Sequence, residues 1–341
     1  MNEQTTRVGL DVGFGDVKLV YLAEGLHTLT FPAILGRAED PARGRQLDLG
    51  LGGRRRRIQT LEYGGNAYFV GEGALTESRL AGSQQNAGRI GSEEERLLML
   101  AALARAGIGQ ALVVTGLPVL WWERRRDLVR SWQGEHRLVV DGTPRTIVVR
   151  EVRPVWQPLG SFYARFLAGD GLAQAGEEVL RAGFGIVDIG FNTTDLSGIH
   201  NLQPIPRWSG GIRVGVRDAL DVLSAALEAR YGVRRPLAEL AAALRRGRPL
   251  TIYRDRVSLD DLAPSALASL AQEIVGEATR QWGQADRFHT VLITGGGAAL
   301  VGKAVAAAFP HNAEILSRPA LANALGFAHF AQRRIFRADW G

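Results

Sequence analysis

The sequence predicts an α/β protein built from two related halves. Three observations carry this expectation. Strand-like and helix-like segments alternate over most of the 341 residues. A strand–turn–strand with an aspartate late in its first strand occurs twice, as GLDVGFGDVKLVYL from Gly9 and as GIVDIGFNTTDLSGI from Gly185. A third apolar strand, in HTVLITGGGAAL from His289, runs into a glycine turn and then a helix. The length suits two domains better than one core.

The elements follow in order. Residues 7–13 and 17–23 form a hairpin with its turn at Gly13 to Asp16. A second hairpin bends at Gly64, Gly65 and Asn66. Ser92 and Glu95 form a capping box for the helix SEEERLLMLAALARAG, which Gly107 ends. A buried strand starts at Ala111 and stops at Pro118, and a helix spans Trp121 to Trp132. A further hairpin turns at Asp141-Gly142, and residues 159–168 are helical. After the second Asp-containing hairpin come helices over Val214 to Tyr231, Leu237 to Arg246 and Leu259 to Trp282. The strand and glycine turn near residue 290 precede a last helix, LANALGFAHFAQRR.

Composition narrows the functional classes. No apolar run of 18 residues is present, so no membrane span is expected. The first residues lack a signal-peptide design, and a cytoplasmic protein is the expectation. Absence of cysteine excludes a disulfide scaffold and thiolate metal sites, and the six histidines lack metal-ligand spacing. The net charge of +6 is carried largely by arginine, densest at Arg54 to Arg57. That run reads as a solvated, exposed loop, with a filament or anion contact as the alternative. Specific DNA binding by the isolated chain is not expected.

The repeated hairpin raises a chemical question, because a core strand gains nothing from an aspartate. An answer is a metal–phosphate group held by both copies. Gly13 and Gly15 in one turn, and Gly190 and Asn192 in the other, can present backbone N–H groups to an anion. Lys18 is a compact charge suited to phosphate oxygens. Asp11 and Asp188 can hold Mg²⁺ directly or through its waters. Thr193 and Thr194 add hydroxyls, and Asp195 adds a third carboxylate. A single Asp-x-Gly is a common turn, and a lone Gly-Gly-Gly can be only a tight connection. The order of all three elements is what is specific.

That order resembles the actin superfamily of actins, sugar kinases and heat-shock chaperone ATPases. DVGFGDVK is similar to its first phosphate motif, DIGFNTTD to its second and TGGGAAL to its adenosine motif. YFVGEGA, SGGIRVG and RPALANALGF bring the likeness nearest to bacterial and archaeal actin-like proteins of the ParM type, which segregate plasmids. The resemblance implies a duplicated actin-like, ribonuclease-H-like fold with two domains flanking a nucleotide cleft. It places residues 1–170 in the first domain, with 320–341 returning to it, and 171–319 in the second.

By that resemblance Asp11, Gly13, Phe14, Gly15, Asp16 and Lys18 belong to the first phosphate loop. Gly190, Asn192 and Thr193 follow Asp188 in the second, and Gly295, Gly296 and Gly297 line the nucleotide. Asp16 stands where the family often has a small hydroxyl or amide residue, and Asn192 where threonine is common. The family's water-orienting Gln or Glu comes from the segment joining the halves, here VRPVWQPLGSFYARF, and Gln157 is the match. The cofactors implied are ATP or ADP with Mg²⁺, GTP remaining open. The function implied is an ATP hydrolase that assembles into helical filaments and moves plasmid DNA through a DNA-bound adaptor. A small-molecule kinase of the same superfamily and a non-polymerising chaperone-like ATPase remain the alternatives.

Overall fold

The computed structural model describes residues 5–38, 59–78, 81–82 and 86–333. They divide into two units, one holding the described residues of 1–115 and 123–154, the other residues 116–122 and 155–333. Residues 116–122, 155–170 and 320–333, expected in the first domain, fall in the second unit. The Arg54–Arg57 run and residues 334–341 fall outside the described residues.

The first unit is built on a ten-stranded sheet. Its strands are β1 (Thr6–Val12), β2 (Asp16–Leu22), β3 (Leu26–Pro32), β4 (Leu35–Arg37), β5 (Thr60–Tyr63), β6 (Asn66–Val70), β7 (Ala81–Gly82), β8 (Gln110–Leu117), β9 (Gly134–Val140) and β10 (Thr143–Trp156). They lie in the order β3-β2-β1-β8-β10-β9-β5-β6-β4-β7. β1 to β3 form an antiparallel meander, and β1 pairs in parallel with β8. Period-2 alternation puts Val8 and Leu10 of β1 on one face and Asp11 on the other.

The helices are α1 (Glu72–Glu77), α2 (Glu93–Arg105) and α3 (Arg125–Trp132). α2 is buried at every position from Leu97 to Leu103, as its all-apolar run requires. Its cap is half of the expected box. Ser92 Oγ accepts from the Glu95 N–H at 3.2 Å, but the Glu95 carboxylate reaches one residue further back and takes the Gly91 N–H at 2.7 Å. Where one helix was expected from Trp121, a 3-10 segment (Val119–Arg124) with a non-helical Trp121 precedes α3.

In the second unit the chain continues through α4 (Gln157–Phe166), α5 (Glu177–Arg181), β11 (Phe184–Ile189), β12 (Thr194–His200), β13 (Gln203–Ile212), α6 (Val216–Tyr231) and α7 (Leu237–Arg246). The short hairpin β14 (Leu250–Ile252) and β15 (Asp255–Val257), then α8 (Ala263–Trp282), β16 (Thr290–Thr294), α9 (Ala298–Ala306), β17 (Ala313–Ile315) and α10 (Ala322–Ala331) complete it. The sheet runs β13-β12-β11-β16-β17. Again three strands form an antiparallel meander, and the first pairs in parallel with the next long strand. This repeats β3-β2-β1-β8, so the duplication read from two short hairpins extends to the sheets around them.

Both faces of this second sheet are covered. Val187, Ile189, Val291 and Ile293 pack against α8 and α9. Phe184, Ile186 and Leu292 pack on the other side against Phe162 and Phe166 of α4 and Ala322 of α10. Burial on two faces explains why β11, Asp188 apart, and β16 read as near-continuous apolar runs. A satellite core joins α6, α7 and the β14–β15 hairpin. On that second face α4 and α10 cross at glycine: a Cβ on Gly326 would lie 1.7 Å from the Gly160 carbonyl oxygen.

Candidate functional site

In the first unit, Asp11 and Lys18 are cross-strand partners in β1 and β2. Such partners project on the same side, and Lys18 Nζ lies 3.0 Å from Asp11 Oδ2. Asp11 is buried, and the Lys18 side chain is 12 % exposed. The turn between them, Gly13 to Gly15, is held by donors from other segments. Ala33 N–H donates to the Gly15 carbonyl at 2.9 Å, and Arg89 Nη1 to the Gly13 carbonyl at 3.0 Å. The Arg89 guanidinium also sits 5.0 Å from the centroid of the Phe14 ring. Asp16 begins β2 and is half-buried.

The second hairpin carries the same position pair with different chemistry. Asp188 faces Asp195 where Asp11 faces Lys18. Both carboxyls are buried. Burial, then the nearby Asp188 charge, pushes the Asp195 carboxyl up to about 7, against hydrogen bonds that favour its ionised form. Those bonds come from the Val119 N–H, 3.0 Å from Oδ1, and from Thr193 Oγ1, 3.2 Å from Oδ2. The Gly190 N–H, expected to serve an anion, instead donates to the Thr193 carbonyl at 2.8 Å and closes the turn. A four-residue turn this tight must satisfy its own backbone first.

Strand period explains what reaches Asp188. It shares a face with Phe184 and Ile186, hence with α4 and α10. Asn323 at the start of α10 donates from Nδ2 to Asp188 Oδ2 at 2.7 Å. Ser161 Oγ donates to Asn323 Oδ1 at 2.7 Å and lies 2.7 Å from Thr294 Oγ1. Thr294 Oγ1 also donates to the Pro319 carbonyl at 3.2 Å. Ser161, Thr294 and Asn323 are all buried, so one polar chain fixes the carboxylate from both neighbouring helices and β16. The sequence reading missed all three. Their signal was a polar residue at a core position in each of three apolar segments.

The glycine turn after β16 is shaped by the same carboxylate. Gly295 has φ +87°, and a Cβ there would meet Asp188 Oδ1 and the Ile189 carbonyl oxygen at 2.4 Å. Only glycine meets both constraints. The Gly295 N–H goes to the Pro319 carbonyl and the Gly297 N–H to the Ile189 carbonyl. A Cβ on Gly296 would meet nothing within 4 Å among the described residues. Of the three glycines, Gly296 therefore offers the open backbone surface.

Gln157 is the first residue of α4 and half-buried. Its Cα would lie 2.8 Å from a Cβ on Gly116, so it packs on the strand end leading to Val119. Among the described residues no group of three or more acidic or histidine side chains forms a metal cage, and no helix is long and apolar enough to cross a membrane.

The profile for the actin-like proteins N-terminal domain matches residues 9–160, and that for the C-terminal region of the archaeal, MreB-like actin homologue matches 186–307. An archaeal actin homologue of Thermoplasma volcanium is 26 % identical over 339 residues, covering 96 % of this chain and 98 % of its own. The crystal structure of the archaeal actin homologue Ta0583 superposes with a TM-score of 0.78 at 22 % identity, covering 96 % of this chain and 99 % of its own. A ParM subunit from a 15-stranded filament of Clostridium botulinum gives 0.75 at 20 % identity, with 96 % and 99 % covered. Two family profiles in succession, a full-length relative and a matching fold agree with the duplicated hairpins and the glycine turn: the fold is actin-like, and the chain is similar to actin-like proteins over nearly its whole length.

Proposed function

We propose that this protein is a nucleotide-dependent, filament-forming ATPase. The observation that carries the reading is the repeated carboxylate: Asp11 and Asp188 occupy the same position of the same three-strand meander, each beside a tight turn. Tight turns such as Gly13–Gly15 would meet the phosphates, and the Gly295–Gly297 turn would take the nucleoside. A solved relative is a complex with ADP and another is a ParM filament, and both fit this reading.

Mg²⁺ suits the donor set. It is bound by one or two carboxylates together with phosphate oxygens and waters rather than by a protein cage, and Asp11 and Asp188 are the carboxylates available for it. When bound it would neutralise phosphate charge. The chain's own part is positioning. Lys18 meets phosphate oxygens, Asn323 and Ser161 hold the Asp188 carboxylate, and Gln157 orients the attacking water. A glutamine is a poor base but an adequate positioner, which suits phosphoryl transfer. Head-to-tail contacts that do not close build a filament, and hydrolysis weakens it. The cargo is plasmid DNA captured through an adaptor, and the work is done in the cytoplasm.

Phosphate release and light scattering, followed together after adding ATP and Mg²⁺, test this. A rise in scattering followed by decay as phosphate appears is expected. Turnover without scattering, accelerated by a small hydroxylated acceptor, would favour a kinase instead. Scattering that never decays despite turnover would separate hydrolysis from filament lifetime.

A further inference from the structure

Arg89 is a cation where the fold alone has no use for one. It is 1 % exposed and sits on the short 3-10 turn Ala87–Arg89 ahead of α2. Arginine is seldom buried this deeply unless fully paired. Here Nη1 donates to the Gly13 carbonyl, while Nε is 3.6 Å from Glu94 Oε1, too far for a hydrogen bond. Nε and Nη2 have no hydrogen-bond partner among the described residues. Burial lowers the basicity of the guanidinium, against the pull of Glu95, Glu94 and Asp11. An apolar side chain of similar length would fill the space without that penalty.

What the guanidinium touches is the first phosphate turn. It binds the carbonyl of Gly13 and lies over the ring of Phe14. Phe14 is a bulky residue between two glycines in a turn that must let a ligand approach. Its ring has to be held to one side, and a guanidinium over an aromatic face does so. Tying the Gly13 carbonyl to the same group fixes the peptide plane that carries the Phe14 N–H.

We propose that Arg89 is a positioning residue for the first phosphate turn: it fixes the Gly13–Phe14 peptide and parks the Phe14 ring so that the turn can receive the phosphates of a nucleotide. This rests on the nucleotide-binding reading above. The charge of Arg89 lies beside the turn and biases it toward an anion. The role is separate from Lys18, which pairs with Asp11 across the strands.

The test uses the full chain and two variants, Arg89→Met and Arg89→Lys. Binding of ADP and of adenosine is measured by competition against a fluorescent ADP analogue, and backbone amide exchange is measured without nucleotide. Arg89→Met is expected to weaken ADP about 10-fold and leave adenosine within about 2-fold. Amides 13–16 should exchange faster, while those of β1 and β2 are unchanged. Arg89→Lys, which keeps the charge but cannot donate and stack as a planar fork, should fall between. Unchanged ADP affinity and unchanged exchange at 13–16 overturn the proposal. Equal loss of ADP and adenosine, with faster exchange throughout the first unit, also overturns it by showing a purely structural role. If Arg89→Met does not fold, Arg89→Lys decides by the same two readouts. Failure of the unsubstituted protein to bind ADP at all is a different result, and it removes the nucleotide reading itself.

Discussion

Gln157 and Glu95 show how differently a single side chain can act in this protein. Gln157 is at the first position of α4, where alanine is well tolerated. Gln157→Ala should leave nucleotide binding intact and slow phosphate release by roughly 10²-fold, about 2.7 kcal/mol of barrier. Filaments should then outlive those of the unsubstituted protein. Release and polymer lifetime measured on the same samples check this, and normal release would remove Gln157 from the chemistry. Glu95 acts on stability. Burial raises its carboxyl from the ordinary 4.5 to about 7, against the Gly91 N–H bond and the Arg89 charge. The folded chain therefore holds this proton more tightly than the unfolded chain. The contribution is fully present below pH 4.5 and is lost as pH rises through about 7. Glu95→Gln keeps an acceptor for Gly91 but cannot ionise. It should flatten the fall in stability across that window, a difference on the order of 3 kcal/mol. Urea unfolding at pH 5 and pH 8 reads it, and parallel pH profiles for the two proteins would refute the assignment.

At the scale of elements, α4 and α10 place Ser161 and Asn323 around Asp188, and their crossing depends on Gly160 and Gly326. A methyl group on Gly326 has no room against the Gly160 carbonyl. Gly326→Ala should cost about 3 kcal/mol, the upper end for overpacking, and loosen the Asp188 network with it. Gly276 gives the contrast. It is inside α8, and a Cβ there meets nothing within 4 Å among the described residues. Gly276→Ala should stabilise by about 0.5–1 kcal/mol, since glycine's extra backbone freedom is the only thing removed. Thermal unfolding of the pair checks both signs at once.

For the whole molecule, a ligand that binds only the folded chain raises its stability by mass action. ADP with Mg²⁺ at 100 times its dissociation constant should add about 2.7 kcal/mol. The shift in Tm should grow with the logarithm of ADP concentration. Asp188→Ala should reduce that shift more than it reduces the Tm of the unliganded chain. An ADP-independent Tm would contradict nucleotide binding by the folded protein.

The sequence by itself determined the duplication. Strand period, turn residues and the placing of Asp11 and Asp188 are local properties, and local rules recover them: the hairpins at residues 6–22 and 184–200 and the strand–glycine turn–helix at 290–306 all stand where they were expected. It did not determine the third meander strands, β3 and β13. β3 is largely exposed and β13 carries Pro204 and Pro206 near its start, so neither has a clear apolar alternation. Nor did it determine which donor meets which acceptor. Asp188, Ser161, Thr294 and Asn323 are up to 162 residues apart, and nothing in their spacing says they touch. The Gly190 N–H was misread for the same reason: a turn's own hydrogen bonding depends on its closed geometry. Arg89 is 76 residues from Gly13, and in the sequence it is one arginine among many. Only burial against a particular turn distinguishes it, because the cost of an incompletely paired cation exists only once water has been excluded.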